Sequence, residues 1–309
     1  MTVSTKQFEV QAASDRGSGG HNGGNNKMAI KDLLVAYDGN EASEKALEFA
    51  LKMAVKYGAM VTGIKVNSPP KFDSHVRRWM SEDILQGLRE AQQEASAAIK
   101  EKFDAHIKRS GFTGETGWLV EDGQPDIMLA RSARFFDLLL IGQFETIFKA
   151  DRQRTVDPKE LLLRAGKPVI IVPKNYNCRD FKENAAVAWD GSRFAARALT
   201  DAMQILETKK TLELLVTEEH QTDDGHVVSR MPGLNLVEHL QRHGVTAIET
   251  KLDLVGKTMG EAILAHCANT DPDVLVMGAY GRGSFSAALF GSTTRTILEH
   301  QNVPVLLSH

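Results

Sequence analysis

After an apolar run ending at Met277, the chain reads Gly278-Ala279-Tyr280-Gly281-Arg282-Gly283-Ser284-Phe285-Ser286-Ala287-Ala288-Leu289-Phe290-Gly291-Ser292-Thr293-Thr294. Glycines let a backbone approach a ligand closely, and Gly291-Ser292-Thr293-Thr294 sets amides and hydroxyls at the start of a helical pattern. Anions are favoured there, because the first N–H groups of a helix lack internal acceptors and its dipole is positive at that end. The segment is therefore a candidate phosphate cradle. Arg282 would add a charge-assisted contact to the same anion. Spacing alone also allows a plainer reading, in which the glycines only make turns and Ser292 only caps its helix.

Other suggestive residues lack the pattern that their chemistry needs. Gly256-Lys257-Thr258 matches the tail of a P-loop, but Lys251 stands where the opening glycine belongs, so Thr258 reads as a helix cap. Gly278-x2-Gly281-x-Gly283 has the wrong order of gaps for a dinucleotide fingerprint, and no acidic residue follows at a strand end about twenty residues later. His220, His226, His239, His243 and His266 include one helical i, i+4 pair, but no third ligand completes a metal motif. Cys178 and Cys267 make neither a disulfide framework nor a clustered zinc site, which fits a reducing cytoplasm. The Phe135-Phe136 pair and Phe285 with Leu289-Phe290 read as core or interface.

The elements that must hold the cradle come from periodicity. From Ile30 onward, short β-branched or apolar runs alternate with helical stretches, the pattern of a parallel sheet covered by helices. Strands are expected near 32–37, 60–66, 115–120, 137–141 and 169–172, then 185–189, 212–217, 247–254, 273–277 and 304–307. Helices are expected near 41–57, 81–110, 125–133 and 158–165, then 193–207, 234–243, 258–268 and 292–299.

The two halves share landmarks as well as periods. Each first strand runs into Asp-Gly, at Asp38-Gly39 and Asp190-Gly191, and each fourth strand ends on glycine, at Gly142 and Gly278. Gly142 to Pro168 and Gly278 to Pro304 are both 26 residues apart, so this part of the halves aligns without a gap. From Asp to that glycine the distances are 104 and 88 residues, and the long helical pattern from 81 to 110 accounts for most of the difference. Two α/β domains follow, at 29–174 and 179–309, joined by a polar stretch after Pro173. Residues 1–28, rich in glycine and asparagine, read as a disordered leader.

With 37 Lys and Arg against 40 Asp and Glu, the formal charge of -3 gives no support to nucleic-acid binding through bulk positive charge. No stretch reaches the roughly 20 apolar residues of a membrane span. A soluble, cytoplasmic protein is expected.

The pattern Gly278-x2-Gly281-x9-Gly291-Ser292, between an apolar strand and a helix that leads to a Pro-Val strand, resembles the ATP-binding signature of the universal stress protein family. The duplicated strand-helix cycle extends the likeness over 29–309, as in tandem members. The resemblance implies a five-stranded parallel sheet in each domain, of the adenine nucleotide alpha-hydrolase-like, Rossmann-type class. It also implies one ATP per intact domain, with any Mg2+ held mainly by the phosphates. Carried across, Asp190 would sit by ribose or adenine, Ala188 and Val216 would flank the base, and Met277 and Gly278 would lie beneath the nucleotide. Gly281, Gly291, Ser292, Thr293 and Thr294 would meet ribose and phosphates. It further implies pairing through the fifth strands, so that the two domains form an internal pseudo-dimer, with a homodimer of chains as a further expectation.

In the first half, Gly281, Gly291, Ser292 and Thr293 correspond to Glu145, Thr155, Val156 and Asp157. Two glycines are lost and two carboxylates appear where phosphates would lie. Asp157 is expected to satisfy the helix-start amides itself, with Pro158 at the first helical position. ATP, or a related adenine nucleotide, is thus expected in the second domain alone. Three functions remain in view: a nucleotide-dependent stress-response binding module, a slow ATPase or autophosphorylating protein, and a structural interaction protein without nucleotide.

Overall fold

The computed structural model describes residues 9–11, 30–68, 81–143, 156–177, 179–216, 235–279 and 291–309. Its first half comprises β1 (Glu9–Gln11), β2 (Asp32–Ala36), α1 (Glu41–Tyr57), β3 (Met60–Asn67), α2 (Glu82–Ser110), β4 (Thr116–Asp122), α3 (Pro125–Ala133), β5 (Leu138–Gly142), α4 (Pro158–Ala165) and β6 (Val169–Val172). The second half repeats the cycle as β7 (Asn184–Ala188), α5 (Arg193–Leu206), β8 (Thr211–Val216), α6 (Leu236–Arg242), β9 (Ala247–Lys251), α7 (Met259–Thr270), β10 (Leu275–Gly278), α8 (Ser292–His300) and β11 (Val305–Ser308). The expected elements are all present, most of them within two residues of the expected ends. One strand was not expected: β1, inside the stretch read as a disordered leader, pairs antiparallel with β4. Its three residues are too few for periodicity to register.

All the described strands join one sheet, in the order β1-β4-β3-β2-β5-β6-β11-β10-β7-β8-β9. Within each half the five repeated strands are parallel, and the halves meet where β6 pairs antiparallel with β11, Ile170 opposite Leu306. The expected pairing of the fifth strands is thus the centre of the sheet. Helices cover both faces: α1, α2, α5 and α6 pack on one, α3, α4, α7 and α8 on the other. No described helix is long and apolar enough to cross a membrane.

The repeated landmarks have physical causes. Gly39 and Gly191 have φ of 76° and 73°, a left-handed turn that glycine enters without strain. The preceding aspartates brace that turn, Asp38 Oδ1 accepting from Asn40 N at 3.1 Å and Asp190 Oδ1 from Ser192 N at 2.9 Å. Asn40 and Ser192 in turn cap α1 and α5. Gly142 and Gly278 serve packing: a Cβ on Gly142 would fall 2.3 Å from the Ala42 carbonyl oxygen, and one on Gly278 would fall 2.7 Å from the Phe194 carbonyl carbon. The first helix of each half lies against the end of the fourth strand, where only glycine leaves room.

A second device also repeats in the two halves. Asp137 and Asp273, each five residues before the strand-four glycine, take two backbone N–H groups from the start of the first strand: Lys31 and Asp32 in one half, Lys182 and Glu183 in the other. Asp273 also holds Lys209 Nζ at 2.7 Å, in a pair whose side chains are 1% and 3% exposed. Burial pulls the Lys209 ammonium below its ordinary pKa, with Asp273 opposing that shift. Nearby, Phe49 meets Tyr176 and Phe181 edge-on, Lys52 pairs with Asp180, and Lys56 pairs with Glu183, so α1 carries the connection between domains.

Two predictions follow from this packing. Gly142→Ala forces a methyl into backbone, a strain that typically costs about 1–3 kcal/mol, and urea denaturation of the full chain reads it. His106, buried on α2, is held below its ordinary pKa of 6.5 chiefly by burial, against the opposing charges of Glu48 and Glu44. The unfolded chain therefore takes up the proton first, and the contribution of His106 is complete above pH of about 6.5 and lost as pH falls below it. His106→Gln should flatten that acid limb of the stability curve, and an unchanged slope between pH 7 and 5 would rule it out.

Candidate functional site

In an open parallel sheet, ligands bind beyond the carboxyl ends of the strands where the strand order reverses. Within the second half the order is β9-β8-β7-β10-β11, so the reversal falls between β7 and β10. Register aligns the expected residues along that edge. Val276 lies opposite Val187, which sets Met277 beside Ala188, and Ala188 lies opposite Leu215, which sets Val216 one step further along β8. Trp189 N donates to Leu215 O at 3.0 Å, extending the ladder to the residue before Asp190. Ala188, Val216, Met277, Gly278 and Asp190 thus lie along one edge, at the carboxyl ends of β7, β8 and β10. Met277 is buried while Ala188, Asp190, Val216 and Gly278 are half-buried. Gly281 and Arg282 lie outside the described residues, with the rest of 280–290.

The far side of the loop is the start of α8. Gly291 is the N-cap, with φ −57° and ψ 155°, and as glycine it offers no side-chain acceptor. The first intrahelical bond runs from Arg295 N to Gly291 O at 3.0 Å, so the amides of Ser292, Thr293 and Thr294 precede the ladder. Ser292 does not cap its own helix, the alternative that spacing left open, because it is already the first helical residue. Ser292 is exposed, Thr293 half-buried and Thr294 buried at 2% exposure, so α8 is anchored one turn from an open end. No acidic residue stands in the first turn.

The first domain differs at the same point. Asp157 caps α4, its Oδ1 accepting from Lys159 N at 2.9 Å, and Pro158 occupies the first helical position. The helix starts two aligned residues later than α8: Val156 and Asp157 lie outside it where Ser292 and Thr293 lie inside. Val156 is buried in the core. A carboxylate thus occupies the place that an incoming anion would take. Glu145 and Thr155 lie outside the described residues.

Thr258 and Glu261 form a reciprocal capping box on α7, the helix start that the P-loop-like tripeptide was read as. His239 and His243 pack ring to ring, centroids 4.8 Å apart, and among the described residues no group of three potential ligands forms. Cys267 is buried and its thiol is pushed up to about 12 by that burial; Cys178 lies outside the described residues. Phe136 packs on the core while Phe135 is exposed.

A model of the universal stress protein family matches residues 29–155 and again 183–309. A universal stress protein of Synechocystis sp. is 23% identical over 305 residues, spanning 90% of this chain and 99% of its own length. Among solved structures, a universal stress protein from Archaeoglobus fulgidus superposes with a TM-score of 0.63 at 19% identity, covering 90% of this chain and 95% of its own. A protein of unknown function from Pseudomonas aeruginosa PAO1 gives 0.52 at 16% identity, covering 91% and 92%.

The capping difference between α4 and α8 has a measurable consequence. Asp157→Ala removes a side-chain cap, which should lower stability in urea by about 1 kcal/mol. An undiminished midpoint would mean that the carboxylate does not hold the α4 amides.

Proposed function

This chain belongs to the universal stress protein family, and we propose that its second domain binds ATP or a related adenine nucleotide, making the chain a nucleotide-dependent stress-response module with little turnover. The observation that carries the reading is the contrast between two aligned helix starts. In α8 a glycine N-cap leaves the leading amides of Ser292, Thr293 and Thr294 to an outside acceptor, whereas in α4 the carboxylate of Asp157 takes that role. The residues present fit a triphosphate. Gly291, Ser292, Thr293 and Thr294 would hold phosphates, joined by Gly281 and Arg282 from the intervening loop. Ala188 and Val216 would flank the base, Asp190 would meet ribose or adenine, and Met277 and Gly278 would floor the site. Any Mg2+ would be held mainly by the phosphates.

Asp190 already commits one carboxylate oxygen to Ser192 N, so it serves the turn as well as the ligand. The same turn exists at Asp38, which makes the aspartate alone a poor discriminator between the domains. The helix start supplies the discrimination. A binding role rather than catalysis is favoured because no other acidic side chain stands in the first turns of α5 or α8 to act as a base or metal ligand.

Titration of the full chain with ATP should give one site per chain, and mass spectrometry of small molecules released on denaturation should find an adenine nucleotide. Gly291→Glu sets a carboxylate at the start of α8 and should weaken ATP at least tenfold with the fold retained by circular dichroism. Asp190→Ala should weaken adenosine and ATP alike. Unchanged ATP affinity in Gly291→Glu would remove the cradle, and two equivalent sites would remove the asymmetry.

A further inference from the structure

We propose that the first domain positions the phosphate-facing helix of the second, with Gln143 and Gln301 fastening the C-terminal end of α8 to domain one and thereby setting the affinity of its N-terminal end for phosphate. The inference rests on the nucleotide reading above and adds to it a role for the half that lacks the cradle.

Gln143 immediately follows Gly142 at the end of β5, where its backbone N–H donates to Val172 O at 2.8 Å. Its side chain crosses the domain boundary. Nε2 donates to Leu298 O at 3.1 Å, while Oε1 accepts from Lys174 N at 3.3 Å. Both ends of the carboxamide are thus engaged, and a flip would set donor against donor at Lys174 and acceptor against acceptor at Leu298. Leu298 lies in the last turn of α8, where carbonyls have no partner within the helix, so the bond takes an acceptor that the helix itself cannot satisfy. Gln301, the C-cap of the same helix and 6% exposed, donates Nε2 to Ile171 O on β6 at 3.5 Å.

The duplication supplies an internal control. In the gapless alignment, Gln143 corresponds to Ala279 and Gln301 to Ala165, and neither alanine side chain can donate. The ties therefore run one way: domain one holds α8, and the aligned positions hold nothing equivalent on α4. Laterally, α8 is fixed by α7, where a Cβ on Gly260 would fall 2.7 Å from Thr296 Cβ. A nine-residue helix is about 14 Å of rigid rod, so a shift at its C-terminal end is delivered to the amides at Ser292 to Thr294.

The test measures dissociation constants for ATP and adenosine on the full chain by calorimetry, in wild type, Gln143→Leu and Gln143→Glu, with amide exchange over 295–300. Glutamate keeps the size but cannot donate to Leu298 O. Both variants should weaken ATP at least fivefold, a coupling of ordinary size, with adenosine unchanged and exchange in α8 faster. An unchanged ratio of ATP to adenosine affinity overturns the proposal, whether both constants hold or both weaken together. If wild type binds neither ligand, the nucleotide reading fails by itself, and exchange alone decides the positioning role: unaltered rates in both variants overturn it, and faster rates in both uphold it.

Discussion

The antiparallel pairing of β6 with β11 is the constraint on which the rest of the molecule depends. Both strands are buried, and apolar but for Ser308 at the end of β11: Val169 to Val172 on one side and Val305 to Ser308 on the other. In a separate domain each would be an open sheet edge with unpaired amides and an apolar surface, a hazard that proteins cover or avoid. Joined, they become the two central strands of one sheet, and the core on each face runs through residues of both halves.

Antiparallel joining also dictates where chemistry can happen. Strands within each half are parallel, so the carboxyl ends of the two halves point to opposite edges of the sheet. The crevices at β2/β5 and β7/β10 therefore cannot share a ligand. What they share is the seam: α4 and α8 cover it on one face, α1 and α5 on the other. A helix that begins at the crevice of one half ends against the strands of its neighbour. That is why an amide side chain placed just after Gly142 meets the end of α8, a contact that neither half would make alone.

Features that repeat locally were legible in the sequence; features made by tertiary approach were not. Asp-Gly at 38–39 and 190–191 announces a strand, a left-handed turn and a cap, because every interaction in that device lies within five residues. The Asp157 cap was legible for the same reason, being a matter of a helix start and one side chain. Gly142 and Gly278 could be aligned but not explained, since the atoms that exclude a Cβ belong to a helix about a hundred residues away in one half and over eighty in the other. Asp137 and Asp273 were missed, although the alignment that paired the glycines also pairs them. Their partners, at the start of the first strands, become visible only when β2 meets β5 and β7 meets β10. Gln143 carried no signal at all, because a glutamine after a strand has no local partner that distinguishes it from a surface residue.

The two halves share what strand pairing requires and differ where it does not. A fold that must pair its fifth strands needs both halves intact, so β5, β6 and the glycine at Gly142 persist in domain one. The start of α4 lies outside that requirement, and there domain one has Thr155 where domain two has Gly291, and a carboxylate cap where α8 has a glycine N-cap. At the position after the strand-four glycine, domain two has Ala279, which is fully buried. In domain one the same position carries Gln143, whose long amide is turned outward to the neighbouring helix rather than inward to a site of its own. The half whose helix start is capped by its own carboxylate is thus also the half that bonds to the far end of the helix whose start is not.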